Sequence, residues 1–140
     1  MDELLLILST KKGFNCVLEL IMRVHFSSRL PEFQNVYLPD IKNKYAMVYG
    51  TDWQLQNIDD VINNLYDTNS DFITDNKDIF FEHLNLSEQI VYDRWARCNN
   101  NRNTEEFKKY ITNMREQIKL LLYNKRNIVI ANKKRQKVIQ

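Results

Sequence analysis

The fold is decided by residues 30–55, which read LPEFQNVYLPDIKNKYAMVYGTDWQL. This stretch concentrates strand-forming and turn residues in a chain whose other segments show helical spacing. Pro39 closes a short extended run, where a proline removes no hydrogen bond from the middle of a ladder. Gly50 then turns the alternating run 45–49 back into a third run, and we expect it to adopt a backbone angle closed to other residues. The stretch predicts an antiparallel meander of two or three short strands.

The meander carries four large aromatic residues, Tyr37, Tyr45, Tyr49 and Trp53. Exposed aromatic rings on a sheet could stack on nucleic-acid bases. A small sheet is expected to bury one of its faces, however. We therefore expect most of these four side chains to belong to the core.

Apolar residues on both sides of the meander recur at three- and four-residue steps, which is typical of helices. An almost wholly apolar segment at residues 2–8 would have to be buried if it were helical. Asn15 and Asn57 are predicted helix caps. The helix that starts after Asn57 is expected to break at residues 66–71. An irregular helix should follow through Phe81, and another should start at Ser87.

The final long helix shows the clearest pattern. Asn103 and Glu106 have the spacing of a capping box, and residues 99–103 before them are expected to form an exposed linker. The chain therefore predicts an α+β fold: a mostly helical single domain at residues 1–124, built around a small two- or three-stranded antiparallel meander. A basic C-terminal tail follows at residues 125–140.

One stripe of that helix has heptad-like spacing. It covers only about two and a half repeats, whereas a confident coiled-coil assignment needs three or four. A core-facing amphipathic helix is the simpler interpretation, and a self-association interface is the alternative. The candidate interface residues are Phe107, Ile111, Met114, Ile118 and Leu121.

Charge is distributed unevenly along the chain. The 140 residues carry a formal net charge of +2. Residues 102–140 hold 11 basic and 3 acidic side chains, a balance of +8, which leaves −6 on the other 101 residues. An acidic body with a basic end is suited to an anionic partner, or to docking on the body of another subunit.

The strongest functional signal is the basic end itself. Six cations without an intervening acidic residue could neutralise several phosphates and give salt-dependent, sequence-independent affinity for nucleic acid. A solvated, frayed terminus is the alternative. The predicted phosphate contacts are Lys125, Arg126, Lys133, Lys134, Arg135 and Lys137.

Enzymatic chemistry is not indicated by any motif. Only two glycines occur, so there is no glycine-rich loop for phosphate, and we predict no catalytic residue, no cofactor and no small-molecule substrate. His25 and His83 lack the spacing of a metal site, although a metal nuclease centred on His25 is kept as a remote alternative. Cys16 and Cys98 are expected to be reduced, buried thiols. The apolar runs are too short to cross a membrane, so we expect an intracellular protein.

Several blocks follow one another in a recognisable order. They are Gly13-Phe14, Leu20-Ile21, His25-Phe26, Pro31-Glu32, NVY at 35–37, NKYAMVY at 43–49, Trp53, DVI at 60–62 and IKLLLYN at 118–124. This order resembles a C-terminal domain widespread in giant DNA viruses of the mimivirus type, and the likeness covers residues 13–129. In longer relatives the domain follows a Cys/His zinc-finger module, whose cysteines this chain does not carry.

The resemblance implies a viral protein acting in the host cytoplasm or the viral factory. Because residues 133–137 (KKRQK) also fit a loose nuclear-localisation pattern, the nucleus is an alternative location. We therefore predict a non-enzymatic, nucleic-acid-associated protein. The alternative is a protein–protein interaction or scaffold module that forms a homo-oligomer through its last helix or through a sheet edge.

Overall fold

The structure is a computed structural model that describes residues 15–27 and 30–139, with the backbone alone from residue 134 onward. Within these ranges the chain forms a mostly helical α+β fold with one three-stranded antiparallel sheet, which confirms the predicted fold class. The elements are α1 Cys16–His25, a 3-10 turn Pro31–Phe33, β1 Val36–Tyr37, β2 Tyr45–Tyr49, β3 Trp53–Asn57, α2 Ile58–Asp75, α3 Lys77–Phe80, a 3-10 turn Phe81–His83, α4 Leu86–Asn100, α5 Glu105–Asn124 and α6 Arg126–Ile139. The predicted segment at residues 2–8 lies outside the described residues.

The chain divides into two compact units. The helical unit contains Met1–Leu20 and Tyr66–Met114, and the sheet unit contains Ile21–Leu65 and Arg115–Gln140. Among the described residues, none of the helices has both the length and the apolar character needed to cross a lipid bilayer.

The sheet is the meander expected from the sequence, with strand order β1-β2-β3. Val36 pairs with Val48, and Tyr49 pairs with Trp53 at the hairpin end. Because directly paired residues of an antiparallel sheet share a face, one face carries Val36 and Ala46, both of which are buried. Beyond β1, the Leu38 N–H donates a 3.2 Å hydrogen bond to the Leu122 carbonyl, which ties this end of the sheet to α5.

The expectation for Gly50 was wrong. Its φ does not lie in the left-handed region, and no heavy atom is found within 4 Å of the position that a Cβ would occupy. The turn is closed instead by the Gly50 N–H, which donates to the Asp52 carbonyl at 3.1 Å. A residue with a side chain would therefore fit this position.

Helix α2 begins as predicted and ends later than predicted. The Asn57 Oδ1 accepts from the backbone N–H groups of Asp59 and Asp60, at 2.9 and 3.3 Å, which confirms the cap. The predicted break at residues 66–71 was wrong, because the buried stripe continues through two polar positions, Asn69 and Ser70. The Ser70 hydroxyl donates to the Asp67 carbonyl within the helix, so burial leaves it hydrogen-bonded.

The next segments also differ from the sequence predictions. In place of the irregular helix predicted through Phe81, the structure has the short helix α3 and a 3-10 turn. Phe80 is the residue that these two elements bury. Helix α4 is capped by Asn85 in a full capping box with Glu88, two residues before the predicted start at Ser87. Helix α5 is capped by Thr104, whose Oγ1 accepts from the Phe107 N–H, rather than by Asn103.

The linker predicted at residues 99–103 is only partly exposed. Asn99 belongs to the end of α4, is buried, and accepts a 2.8 Å hydrogen bond from the Tyr66 hydroxyl. Arg102 anchors the same region through its guanidinium, which lies 2.9 Å from the Asp67 carboxylate. The first two residues of the predicted linker, Asn99 and Asn100, are therefore the last residues of α4.

Aromatic side chains fill the core of the helical unit. Tyr92 packs edge-on against Phe80 with ring centroids 5.3 Å apart, and lies 5.8 Å from the fully buried Trp95. The Trp95 Nε1–H donates to the Tyr110 hydroxyl at 3.0 Å, so its one polar group is satisfied. Burial raises the pKa of Tyr92 to about 12. Both cysteines are free and buried, as expected from the sequence.

The stripe of α5 proposed as a self-association interface is core in this fold. Phe107, Ile111, Met114 and Ile118 are all buried within the chain, and Leu121 is half-buried. Side chains packed inside the subunit are not available to a second copy unless the fold opens. Self-association would therefore need another surface.

We expect Ile118→Ala to lower the free energy of unfolding by about 2–5 kcal/mol, because it leaves a cavity at a fully buried position. Leu120→Ala, at a 40% exposed position of the same helix, is the matched control and should cost about 0.5 kcal/mol or less. Urea denaturation measures both. Equal effects of the two variants, or dissociation of an oligomer by Ile118→Ala, would contradict the assignment of this stripe to the core.

Candidate nucleic-acid interface

The predicted phosphate contacts lie on or beside α6, so the segment predicted as a basic tail is helical over Arg126–Ile139. Lys125 forms the turn before the helix and is exposed, whereas Arg126 and Lys133 are half-buried. The backbone of Lys134, Arg135 and Lys137 continues the helix, and their side chains lie outside the described residues. At 1.5 Å per residue, the cations from Arg126 to Lys137 extend over about 16 Å of one helix.

Helix α6 is fixed to the sheet unit by two of its own residues. Val129 is completely buried. Asn132 is buried as well, and its Nδ2 donates a 3.0 Å hydrogen bond to the Pro31 carbonyl in the 3-10 turn. The helix also packs against β1. The described part of the basic end is therefore a docked helix and not a frayed terminus.

Arg126 is held at the start of α6 by its neighbour Tyr123. The guanidinium lies 3.9 Å from the Tyr123 ring centroid, and Nη1 donates to the Tyr123 carbonyl at 2.8 Å. Both partners are uncharged. The contact orders the arginine and leaves its positive charge uncompensated.

Lys133 is held by the aromatic residues of the sheet. Its Nζ lies 4.8 Å from the ring centroid of Trp53 and 6.0 Å from that of Tyr37. These distances fall within the range of cation–π attraction, roughly 6 Å. Because Asn132 precedes it directly, the same hydrogen bond that docks the helix also brings Lys133 to the sheet.

The second face of the sheet is aromatic and largely open. We call this surface the aromatic face and define it by Tyr37, Tyr45, Met47, Tyr49, Trp53 and Leu55, which the strand register places on one side. Tyr37 is buried and Trp53 half-buried, but Tyr45 and Tyr49 are 49% and 44% exposed. The expectation that most of the four aromatic residues are core was therefore wrong for both of these tyrosines.

Charge separates along the same lines as the two units. The sheet unit holds 12 basic and 6 acidic residues, a formal balance of +6, whereas the helical unit holds 8 basic and 12 acidic residues, a balance of −4. Among the described residues, Lys125, Arg126 and Lys133 form no ion pair with a carboxylate. The cations of α6 that are described are therefore not neutralised within their own unit.

His25 has a structural role in the sheet unit. Its Nδ1–H donates to the Phe33 carbonyl at 2.8 Å and lies 3.1 Å from the Asn35 Oδ1. Burial lowers the pKa of His25, and the two hydrogen bonds offset that effect only in part. In the part of the chain that the structure describes, no three His, Cys, Asp or Glu side chains form a group that could hold a metal ion.

The cations were visible in the sequence, but the aromatic contact that holds Lys133 was not. The link between Lys133 and Trp53 joins residues that are distant in the chain, and no spacing rule connects them. A signal for the open face was present, however. Tyr45, Met47 and Tyr49 alternate with Ala46 and Val48, and the small aliphatic residues mark the side that is easier to bury.

No family model, no curated protein and no solved structure matches this chain.

We expect His25 to make the free energy of unfolding depend on pH. Because burial places the folded-state pKa below the ordinary value of 6.5, the neutral imidazole is the form that stabilises the fold. The stabilisation of the fold by neutral His25 is present above about pH 6.5, and it is lost as the pH falls toward the lower folded-state pKa of His25. Urea denaturation of the wild type and of His25→Gln at a series of pH values measures it.

His83→Gln is the control, since His83 is exposed. The wild type and His83→Gln should lose more stability between about pH 7 and pH 5 than His25→Gln does. Identical pH profiles for all three proteins would show that His25 is not held neutral.

Proposed function

We propose that this protein is a non-enzymatic nucleic-acid-binding protein whose phosphate contacts are Lys125, Arg126, Lys133, Lys134, Arg135 and Lys137. The observation that carries the proposal is a docked cationic helix, whose charges bring its own unit to a formal balance of +6. A docked helix holds its charges at fixed spacing, so less conformational entropy is lost on binding than from a disordered tail.

Phosphate contacts of this kind give affinity without sequence reading. Each cation that meets a phosphate releases condensed counterions, which makes binding depend strongly on salt. Binding of this type has dissociation constants of roughly 10⁻⁴ to 10⁻⁶ M at physiological salt. The protein would therefore coat or accompany nucleic acid rather than select one sequence.

The sequence resemblance supports a biological setting for this activity. We propose that the chain belongs with the domain of mimivirus-type giant DNA viruses and acts inside the infected cell, in the host cytoplasm or the viral factory. Nuclear action is the alternative that residues 133–137 would support.

We expect the wild type to bind both a DNA duplex and a single strand at low salt. If all six cations meet phosphates, the slope of log affinity against log salt is about −5 for duplex and about −4 for a single strand. Lys134→Gln/Lys137→Gln should weaken binding and make the duplex slope less steep by about 2. Fluorescence anisotropy with labelled DNA across a salt series measures this.

The matched control removes two exposed lysines from α5 in the helical unit. Lys108→Gln/Lys109→Gln should leave both the affinity and the slope close to those of the wild type, since these residues lie in the unit with a balance of −4. No binding by the wild type at low salt, or equal slopes in the wild type and the Lys134→Gln/Lys137→Gln variant, would overturn the proposed function.

A second candidate function is self-association through the free edge of β3, which one observation favours. Four of the five residues of β3 are exposed, including Leu55 at 61%, and the strand lies at the end of the sheet order. The Ile58 N–H donates to the Lys44 carbonyl. Hydrogen-bonded and non-hydrogen-bonded pairs alternate along an antiparallel ladder, so Met47↔Leu55 is a non-hydrogen-bonded pair. The backbone N–H and C=O of Leu55 therefore point away from β2, to the free edge.

If β3 pairs with β3 of a second copy, Leu55→Lys should abolish the dimer, because a charged edge residue opposes strand addition. Leu86→Lys, at a 73% exposed position of α4, is the control and should leave the mass unchanged. Analytical ultracentrifugation over a range of concentrations measures both. A wild type that stays monomeric at every concentration would remove this candidate.

A further inference from the structure

The aromatic face offers two rings to solvent at a defined spacing. Tyr45 and Tyr49 lie four residues apart on β2, which corresponds to about 13 Å along a strand. Each ring is nearly half-exposed, and Leu55 continues the apolar surface on the neighbouring strand. Singly exposed aromatic residues are ordinary on a protein surface, but a grouped set beside cations is not explained by packing.

The rings nearest to α6 are already ordered. Trp53 contacts Tyr37 edge-on, with centroids 5.5 Å apart, and lies 5.4 Å from Tyr49 at a tilt of 50°. Lys133 covers part of Trp53. Trp53 therefore contacts both the Tyr49 ring and the Lys133 ammonium group.

Charge complementarity identifies the kind of occupant. Lys133 lies directly at the aromatic face, with its Nζ 4.8 Å from the Trp53 ring centroid. The acidic residue closest to Tyr49 in sequence is Asp52, which accepts a 3.2 Å hydrogen bond from the Gln54 side chain. A ligand that combines planar apolar groups with a repeating negative charge fits this arrangement.

We propose that the aromatic face is a stacking platform for single-stranded nucleic acid, with bases on Tyr45 and Tyr49 and the backbone phosphates toward Lys133. This inference rests on the proposed function and deepens it, because it specifies which form of nucleic acid is bound. The bases of a duplex are stacked on one another and paired, so rings on a sheet can reach only bases that are unpaired. Stacking is tolerant of sequence, since every base has a π-face.

The test compares binding to an oligothymidylate of about 15 nucleotides with binding to a duplex of the same length. Tyr45→Ala and Tyr49→Ala should each weaken binding to the oligothymidylate by about 5- to 150-fold and leave duplex binding within about twofold of the wild type. Tyr49→Phe keeps the ring and should bind like the wild type. In the wild type, the ring signals of Tyr45 and Tyr49 should shift in NMR spectra when the oligothymidylate is added.

The matched control is Phe72→Ala, which removes a 51% exposed aromatic ring from α2 in the helical unit and should bind like the wild type. All of these positions are exposed, so the variants should fold, and circular dichroism checks this. If the tyrosine variants bind the oligothymidylate like the wild type while Lys134→Gln/Lys137→Gln binds it more weakly, the stacking platform is overturned and the proposed function stands.

The opposite result also distinguishes the stacking platform from the assignment of the α6 cations. If the tyrosine variants weaken binding and the lysine variants do not, the platform is supported and the assignment of the α6 cations fails. If the tyrosine variants change the mass of the protein instead of its affinity for the oligothymidylate, the face is covered by a second copy and the inference is overturned.

Discussion

The arrangement of the candidate site depends on how α6 docks. Val129 is fully buried and Asn132 donates to the Pro31 carbonyl, so two residues on successive turns fix the helix against the sheet unit. Lys133 follows Asn132 directly and is brought to Trp53 as a consequence. Without this docking, the basic residues would belong to a flexible end whose charges have no fixed relation to the aromatic face.

The central part of the fold could be predicted from the sequence because its signals are local. Proline at the end of one run and alternation in the next were enough to predict a meander of two or three strands, of which the structure forms three. Asn57 before Asp59 and Asp60 was enough to place a helix start. Such features depend on neighbouring residues alone. They survive in any tertiary context that buries one side of the element.

The errors at residues 66–71 and 99–103 came from polar residues at positions that tertiary structure buries. Asn69 and Ser70 resemble a break in α2, but they continue its buried stripe. Asn99 resembles a linker residue, although it is buried and accepts a hydrogen bond from the Tyr66 hydroxyl. For Ser70 and Asn99 the cost of burying a polar group is offset by a hydrogen bond that the sequence does not reveal. The six cations of the candidate site were likewise visible in the sequence, whereas the contact of Lys133 with Trp53 was not.

The nature of those partners decides whether the cations remain able to bind an anion. A carboxylate would compensate the charge of a lysine, and a phosphate would then have to displace it. An aromatic ring attracts the cation through its quadrupole by only about 0.5–1 kcal/mol at an exposed site, and it leaves the net charge in place. Arg126 on Tyr123 and Lys133 on Trp53 are therefore held in position without being neutralised. Aromatic support of this kind leaves ordered charges beside the planar rings of the neighbouring tyrosines, and the proposed binding of an unpaired nucleic-acid strand depends on that combination.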